Sequence, residues 1–265
     1  MYSVLAVDLD ETLLDGESGV SARTMAALER WRGSGRRIVI ATGRPPRSTR
    51  MIPPALHSYP WICYNGAWIE VEGRVLYETT IPVKDARRIV SAILAAAPDC
   101  LLGVEIADQL YTNREGKWTN FTLVSDVLAH TTGPTAKILT SLSDMDAAQE
   151  EPVNGRVTAR QSEIFLQGLP RSSRALISPK YDLVQVMPSG ASKAAALGWL
   201  LDRWGLSQED VVAFGDDVND VEMVAEAGLG VAMANAVPEV KAAADRITVS
   251  NEEDGVAVVL EEFLR

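Results

Sequence analysis

Val4-Leu5-Ala6-Val7-Asp8-Leu9-Asp10-Glu11-Thr12 is an aliphatic run that meets carboxylates without a spacer. Four aliphatic residues without polar alternation read as a strand buried on both faces, as in a parallel sheet. In open α/β sheets, ligands and catalytic groups gather beyond the carboxyl ends of the strands. Asp8 and Asp10 stand at that place. Two aspartates two residues apart can converge on one site as the backbone bends away from the strand. Their charges repel, so one must be neutralised by a metal or a proton. That division of states suits a nucleophile plus a general acid. An acidic loop closing a strand has the same residues, and D-x-D-x-T arises by chance in roughly a few per cent of chains this long.

The rhythm around this stretch is strand and helix in turn. Ser21 is an N-cap for a helix through about Arg32, with Met25, Leu28 and Trp31 at helical spacing, and Gly33 and Gly35 end it. Arg37 to Ala41 and Trp61 to Tyr64 are further buried strands, and Trp68 to Val71 with Arg74 to Tyr77 form a hairpin across Glu72-Gly73. The final third repeats the rhythm: a strand over Asp182 to Met187, a helix over Ala191 to Trp204, and a strand over Val211 to Phe214. A helix over Val218 to Ala227, a strand over Leu229 to Met233, a helix opened by Pro238 and a closing helix over Gly255 to Leu264 follow. This alternation predicts an α/β fold with a doubly wound, Rossmann-like parallel sheet. The middle breaks the pattern. After a helix over Val83 to Ala96 come strand-like runs at Leu101 to Ile106, Ala136 to Thr140 and Glu163 to Gln167, punctuated by Pro134, Pro152, Pro170 and Pro179. The expected division is a core of residues 1–82 and 183–265 around an inserted α+β domain of residues 83–182.

Composition narrows the function. With 25 Lys+Arg against 36 Asp+Glu in 265 residues, the net charge is -11. Nucleic acid and anionic membranes repel such a surface. A small anionic substrate stays allowed, because a site can bring its own cation. No apolar run reaches the roughly 18 residues of a membrane helix, and the N-terminus lacks a basic n-region. Cys63 and Cys100, far apart and outside any CxxC motif, read as reduced thiols of a cytoplasmic protein. His57 and His130, the only histidines, both stand in loop-like sequence, which disfavours a histidine nucleophile or multi-histidine metal site. Oligomeric state is not readable.

Three further features follow strands or open helices. Thr42-Gly43-Arg44 follows the second strand, where a hydroxyl and a backbone N–H can hold a phosphate oxygen, as could any ordinary βα turn. Lys193 opens a helix, an unfavourable place for a cation unless anions share it. Gly215-Asp216-Asp217-Val218-Asn219-Asp220 puts three carboxylates in one loop after a buried strand, costly without a cation and better suited to Mg²⁺ than to zinc. A surface lysine and a solvated acidic turn are the bland alternatives.

All four features occur in order. In that order the chain resembles the haloacid dehalogenase-like superfamily of phosphatases: Asp8-x-Asp10-x-Thr12, Thr42, Lys193 and Gly215-Asp216-x-x-x-Asp220 match its four motifs. The roughly 100-residue insertion resembles the type-two (C2B) cap of the Cof-type branch. Asn65-Gly66-Ala67 and Pro188-Ser189-Gly190-Ala191-Ser192-Lys193 are similar to that branch as well. Glu11 and Asp217 depart from its commoner residues.

The resemblance implies a Mg²⁺-dependent phosphatase for small phosphomonoesters such as sugar phosphates. Asp8 would be the nucleophile and Asp10 the general acid and base. Asp8, the Asp10 backbone carbonyl and Asp216 would hold the metal. Thr42, Gly43, Lys193 and Asn219 would cradle the phosphoryl group, with Thr12 and Asp220 in support. Arg44 and Asn65 are possible substrate contacts, and Arg114, Lys117, Lys137, Arg156 and Arg160 are cap cations that could reach a polar leaving group. The cap would close over the site and exclude water. Asp10 argues against a dehalogenase, whose halide needs no acid. A phosphomutase, another phosphotransferase and a catalytically silent binding protein on the same fold stay open. A response-regulator receiver also carries a phospho-aspartate, but is shorter and lacks an insertion.

Overall fold

The computed structural model describes residues 2–147 and 161–264. Strands β1 (Val4–Val7), β2 (Arg37–Ala41), β3 (Trp61–Cys63), β4 (Trp68–Val71) and β5 (Arg74–Glu78) come from the first third of the chain. The middle supplies β6 (Leu102–Ile106), β7 (Gln109–Thr112), β8 (Phe121–Leu123), β9 (Thr135–Ser141), β10 (Ser173–Ser178) and β11 (Leu183–Pro188). The final third adds β12 (Val211–Gly215), β13 (Leu229–Ala232) and β14 (Arg246–Ile247).

The first compact unit comprises Met1–Glu78 and Ala191–Arg265. Its eight-stranded sheet runs β14-β13-β12-β1-β2-β3-β4-β5. The six strands from β14 to β3 are parallel, and the β4–β5 hairpin adds an antiparallel edge. The chain winds outward from β1 in one direction and from β12 in the other, so the switch point lies between these two neighbours. Crevices at such a point take ligands. β1 is buried throughout, with Leu5 and Val7 in the core on one face and Val4 and Ala6 in the core on the other. The helix Ala22–Gly33 begins on Ser21, whose side chain accepts from Thr24 N, and buries Leu28 and Trp31.

The second unit comprises Thr79–Gly190. Its six-stranded sheet runs β10-β11-β9-β6-β7-β8, antiparallel except for the β7–β8 pair. The helix Val83–Ala96 buries Ala86, Ile89, Val90 and Ile93, one helical stripe, among Leu102, Val104, Ile138, Val184 and Val186.

Two expectations change here. The strand at Leu183 hydrogen-bonds into the second unit's sheet, between β9 and β10, so this unit runs past the expected 83–182 at both ends. An apolar run shows that a strand exists, but not which sheet accepts it. Glu163 to Gln167 lies in a helix, Gln161–Gln167, instead of a strand. Periodicity cannot separate the two over so short a run, and Phe165 packs into the cluster that holds the Val83–Ala96 helix. Arg156 and Arg160 lie outside the described residues. Among the described residues, no helix is long and apolar enough to cross a membrane.

Candidate active site

Asp8, Thr42 and Asp216 stand directly beyond the carboxyl ends of β1, β2 and β12. Asp8 follows β1 directly, and its N–H donates to Phe214 O at 3.1 Å, so its backbone still obeys the sheet. The chain then bends through Glu11 at φ +56°. That bend turns Thr12 inward, where its hydroxyl donates to Asp216 Oδ1 at 2.8 Å. The first and fourth motifs are thereby joined across the switch point.

Lys193 is wholly buried and is the first residue of the helix Lys193–Trp204, capped by Ser192. Its ammonium donates to Asp8 Oδ1 at 2.5 Å and to Asp220 Oδ1 at 2.6 Å. These two carboxylates offset both its desolvation and the helix dipole. Asp220 Oδ2 accepts from the N–H groups of Asp216 and Asp217 at 3.1 and 3.2 Å, so Asp220 ties Lys193 to the loop after β12. Gly215 makes this loop possible, since a Cβ there would lie 2.3 Å from Asp220 Cβ.

Asp8, Asp216 and Asp220 each offer an oxygen within 4.8 Å of the others, and all three are buried. Burial pushes the Asp8 carboxyl well above its usual range. Lys193 opposes this, while Asp220, Asp216 and Asp10 add to it. Lys193 is pulled down by burial, but Asp220 and Asp8 outweigh that and hold it charged. Three carboxylates around one ammonium leave a buried negative surplus. Hard oxygen donors with such a surplus fit a divalent cation such as Mg²⁺.

The second motif meets the same place from β2. Thr42 is fully buried, and its hydroxyl accepts from Arg44 N at 3.1 Å. Asn65 links three elements. Its N–H donates to Thr42 O at 3.0 Å, and its Oδ1 accepts from Asn219 Nδ2 at 3.0 Å. That oxygen would lie 2.9 Å from a Cβ at position 43, so Gly43 is what lets Asn65 approach. Tyr64, Asn65 and Gly66 all have positive φ, and a Cβ on Gly66 would lie 2.1 Å from Ser192 O. The turn therefore packs against the N-cap of the Lys193 helix.

Asp10 is placed differently from the other acids. Its carboxylate is forked by the Arg44 guanidinium, with Nε 3.1 and 2.9 Å from the two oxygens and Nη2 bonded to Oδ1. Sequence reasoning named both residues but not their pairing, because the loops after β1 and β2 meet only through strand order. Every expected site residue of the first unit is thus at or beside one cluster. Among the cap cations, Arg114 pairs with Asp144, Lys117 bonds to Asp182 and the Tyr181 carbonyl, and buried Lys137 donates to Gln185 Oε1 at 2.9 Å.

Comparison with known proteins gives the family and the fold. Residues 5–260 match the model of the haloacid dehalogenase-like hydrolases. The chain is 30% identical to the 5-amino-6-(5-phospho-D-ribitylamino)uracil phosphatase YitU of Bacillus subtilis, over 98% of this chain and 97% of that protein. It is 31% identical to the stress response protein YhaX of the same organism, over 99% and 93%. Its fold superposes on the structure of BT1666 from Bacteroides thetaiotaomicron, studied among the phosphatases of this superfamily. The TM-score is 0.80 at 27% identity, covering 99% of this chain and 95% of that one.

Proposed function

The chain belongs to the haloacid dehalogenase-like hydrolase family as a phosphatase, and from that premise we propose that it hydrolyses small phosphomonoesters through a phosphorylated Asp8. The observation that carries this reading is the Asp8 carboxylate at the switch point. One oxygen is held by Lys193, and Oδ2 accepts no hydrogen bond from the described residues. An oxygen so oriented attacks phosphorus while the P–O ester bond breaks. Asp10 gives the departing alkoxide its proton. It then takes a proton from the water that attacks the same phosphorus, releasing phosphate and regenerating Asp8. Lys193 stays charged and stabilises the phosphoryl oxygens, with Thr42, Gly43 and Asn219 supplying donors around them. Asp8, Asp216 and the Asp10 carbonyl would hold Mg²⁺, with Asp220 close by, and the bound ion would neutralise charge on the transferring group.

For the substrate we propose phosphate esters of small polyhydroxylated alcohols, sugars included. A relative whose named substrate carries its phosphate on a ribityl chain supports that class. Two buried cysteines outside any disulfide support a reducing, cytoplasmic setting. The test is turnover of p-nitrophenyl phosphate with and without Mg²⁺, followed by a panel of sugar and polyol phosphates. Turnover of none of them would sink the reading. Asp10→Asn should lower kcat/KM more for a sugar phosphate than for p-nitrophenyl phosphate, because nitrophenolate leaves without a proton. Equal losses would remove Asp10 from the acid role.

A further inference from the structure

The proposed roles of Asp10 and Arg44 compete in the geometry observed. Both Asp10 oxygens face the Arg44 guanidinium. A carboxylate forked in this way is turned toward the arginine, and the Nε–Nη2 edge that grips it cannot grip a phosphoryl group at the same time, although Nη1 stays outside the fork. The Arg44 backbone is nonetheless part of the cradle: its N–H donates to Thr42 Oγ1 at 3.1 Å, one residue from Gly43. A turn of its side chain therefore exchanges one anion for another without moving the loop. The pair is also built to open, since its side chains are 30% and 42% exposed and water can replace each partner. The Lys193–Asp8 pair, at 0% and 7%, has no such freedom. A guanidinium fork matches phosphoryl oxygens as well as it matches a carboxylate. A phosphate monoester also carries more charge than Asp10 does.

Building on the phosphatase reading, we propose that Arg44 is a substrate-operated latch, which holds Asp10 in the free enzyme and changes partner to the phosphoryl group when the ester binds. Asp10 is released at the moment it is needed, and binding is coupled to assembly of the acid. Arg44 then contacts substrate and positions Asp10 in one exchange.

The test is a double-mutant cycle on the binding of inorganic phosphate, followed by calorimetry on the full chain in excess Mg²⁺. Asp10→Asn frees Arg44 and also removes a negative charge, so phosphate should bind about tenfold tighter than to the wild type. In the Arg44→Met background the same change removes only the charge, and the gain should shrink to about two- to threefold. If Arg44 stays on Asp10 throughout, the order reverses. Arg44 then screens Asp10 in the wild type, and the gain is larger in the Arg44→Met background. That result, or equal gains, overturns the latch while leaving the phosphatase reading in place. Absence of phosphate binding by every variant, wild type included, overturns both. Arg44→Lys, which keeps the charge but loses the fork, should give an intermediate gain and serves as the second background.

Discussion

Aspartate does opposite things in the two halves of this molecule. In the first unit Asp8, Asp216 and Asp220 crowd one buried place with a single ammonium among them, and the Asp8 carboxyl is pushed well up. In the second unit Asp182 collects donors at a partly exposed turn. Ser141 Oγ lies at 2.7 Å, Ser143 N at 2.6 Å, Ser143 Oγ at 3.0 Å and Lys117 Nζ at 3.3 Å. Its desolvation is outweighed by the serine and lysine hydrogen bonds, and its pKa drops to about 2. The difference is one of charge and burial. A partly exposed carboxylate with a lysine and serine donors holds a turn together, whereas three buried carboxylates sharing one ammonium keep a negative surplus that a divalent cation fits.

The sharpest way to break this contrast is Asp8→Asn. Turnover should fall at least about a thousandfold, because an amide is a poor nucleophile of the same shape. In the metal-free protein the same change should raise the melting temperature, since it removes one of the repelling charges. A raised carboxyl stabilises only while protonated, and loses that contribution as pH rises through its folded pKa. The gain from Asp8→Asn should therefore grow with pH. Loss of activity together with loss of stability would mean that Asp8 is a structural acid like Asp182.

Removing divalent cations with EDTA should reduce turnover by about a hundredfold or more, restored by Mg²⁺. Full activity in a chelated preparation would show that Lys193 alone balances the cluster. Lys193→Met should cost about 3–5 kcal/mol in urea unfolding of the metal-free protein, because it leaves buried carboxylates uncompensated. Lys117→Met in the second unit should cost under about 1 kcal/mol, since that pair is exposed and Asp182 keeps its serine donors.

Asp182→Asn belongs in the same small range, at most on the order of 1 kcal/mol after allowance for exposure. Its sign with pH is the reverse of that for Asp8. A lowered carboxyl contributes stability above its unfolded pKa of about 4 and loses it as pH falls towards its folded value. Wild type and Asp182→Asn should therefore differ in melting temperature at neutral pH and converge near pH 2. A difference that persists in acid would assign the residue's effect to packing around its left-handed backbone, φ +49°.

Much of this was legible in the residues themselves. The unbroken aliphatic runs of β1, β2 and β12 announce strands buried on both faces, and the Ser21 cap and the glycines after Arg32 bound a helix to within a residue or so. The candidate residues stand out because carboxylates and a hydroxyl directly beyond those strands, and a lysine opening the helix Lys193–Trp204, would be costly there without one another or a ligand. Local pattern carried such information because burial on both faces, capping and turn chemistry are settled within a few residues. Tertiary structure alone decided the rest. It assigned β11 to the second sheet, made a helix of Gln161–Gln167, joined Asn65 to Asn219 and closed Arg44 on Asp10. Each is a pairing between distant segments. Sequence states which groups can bond, but the order of strands in a sheet decides which ones meet.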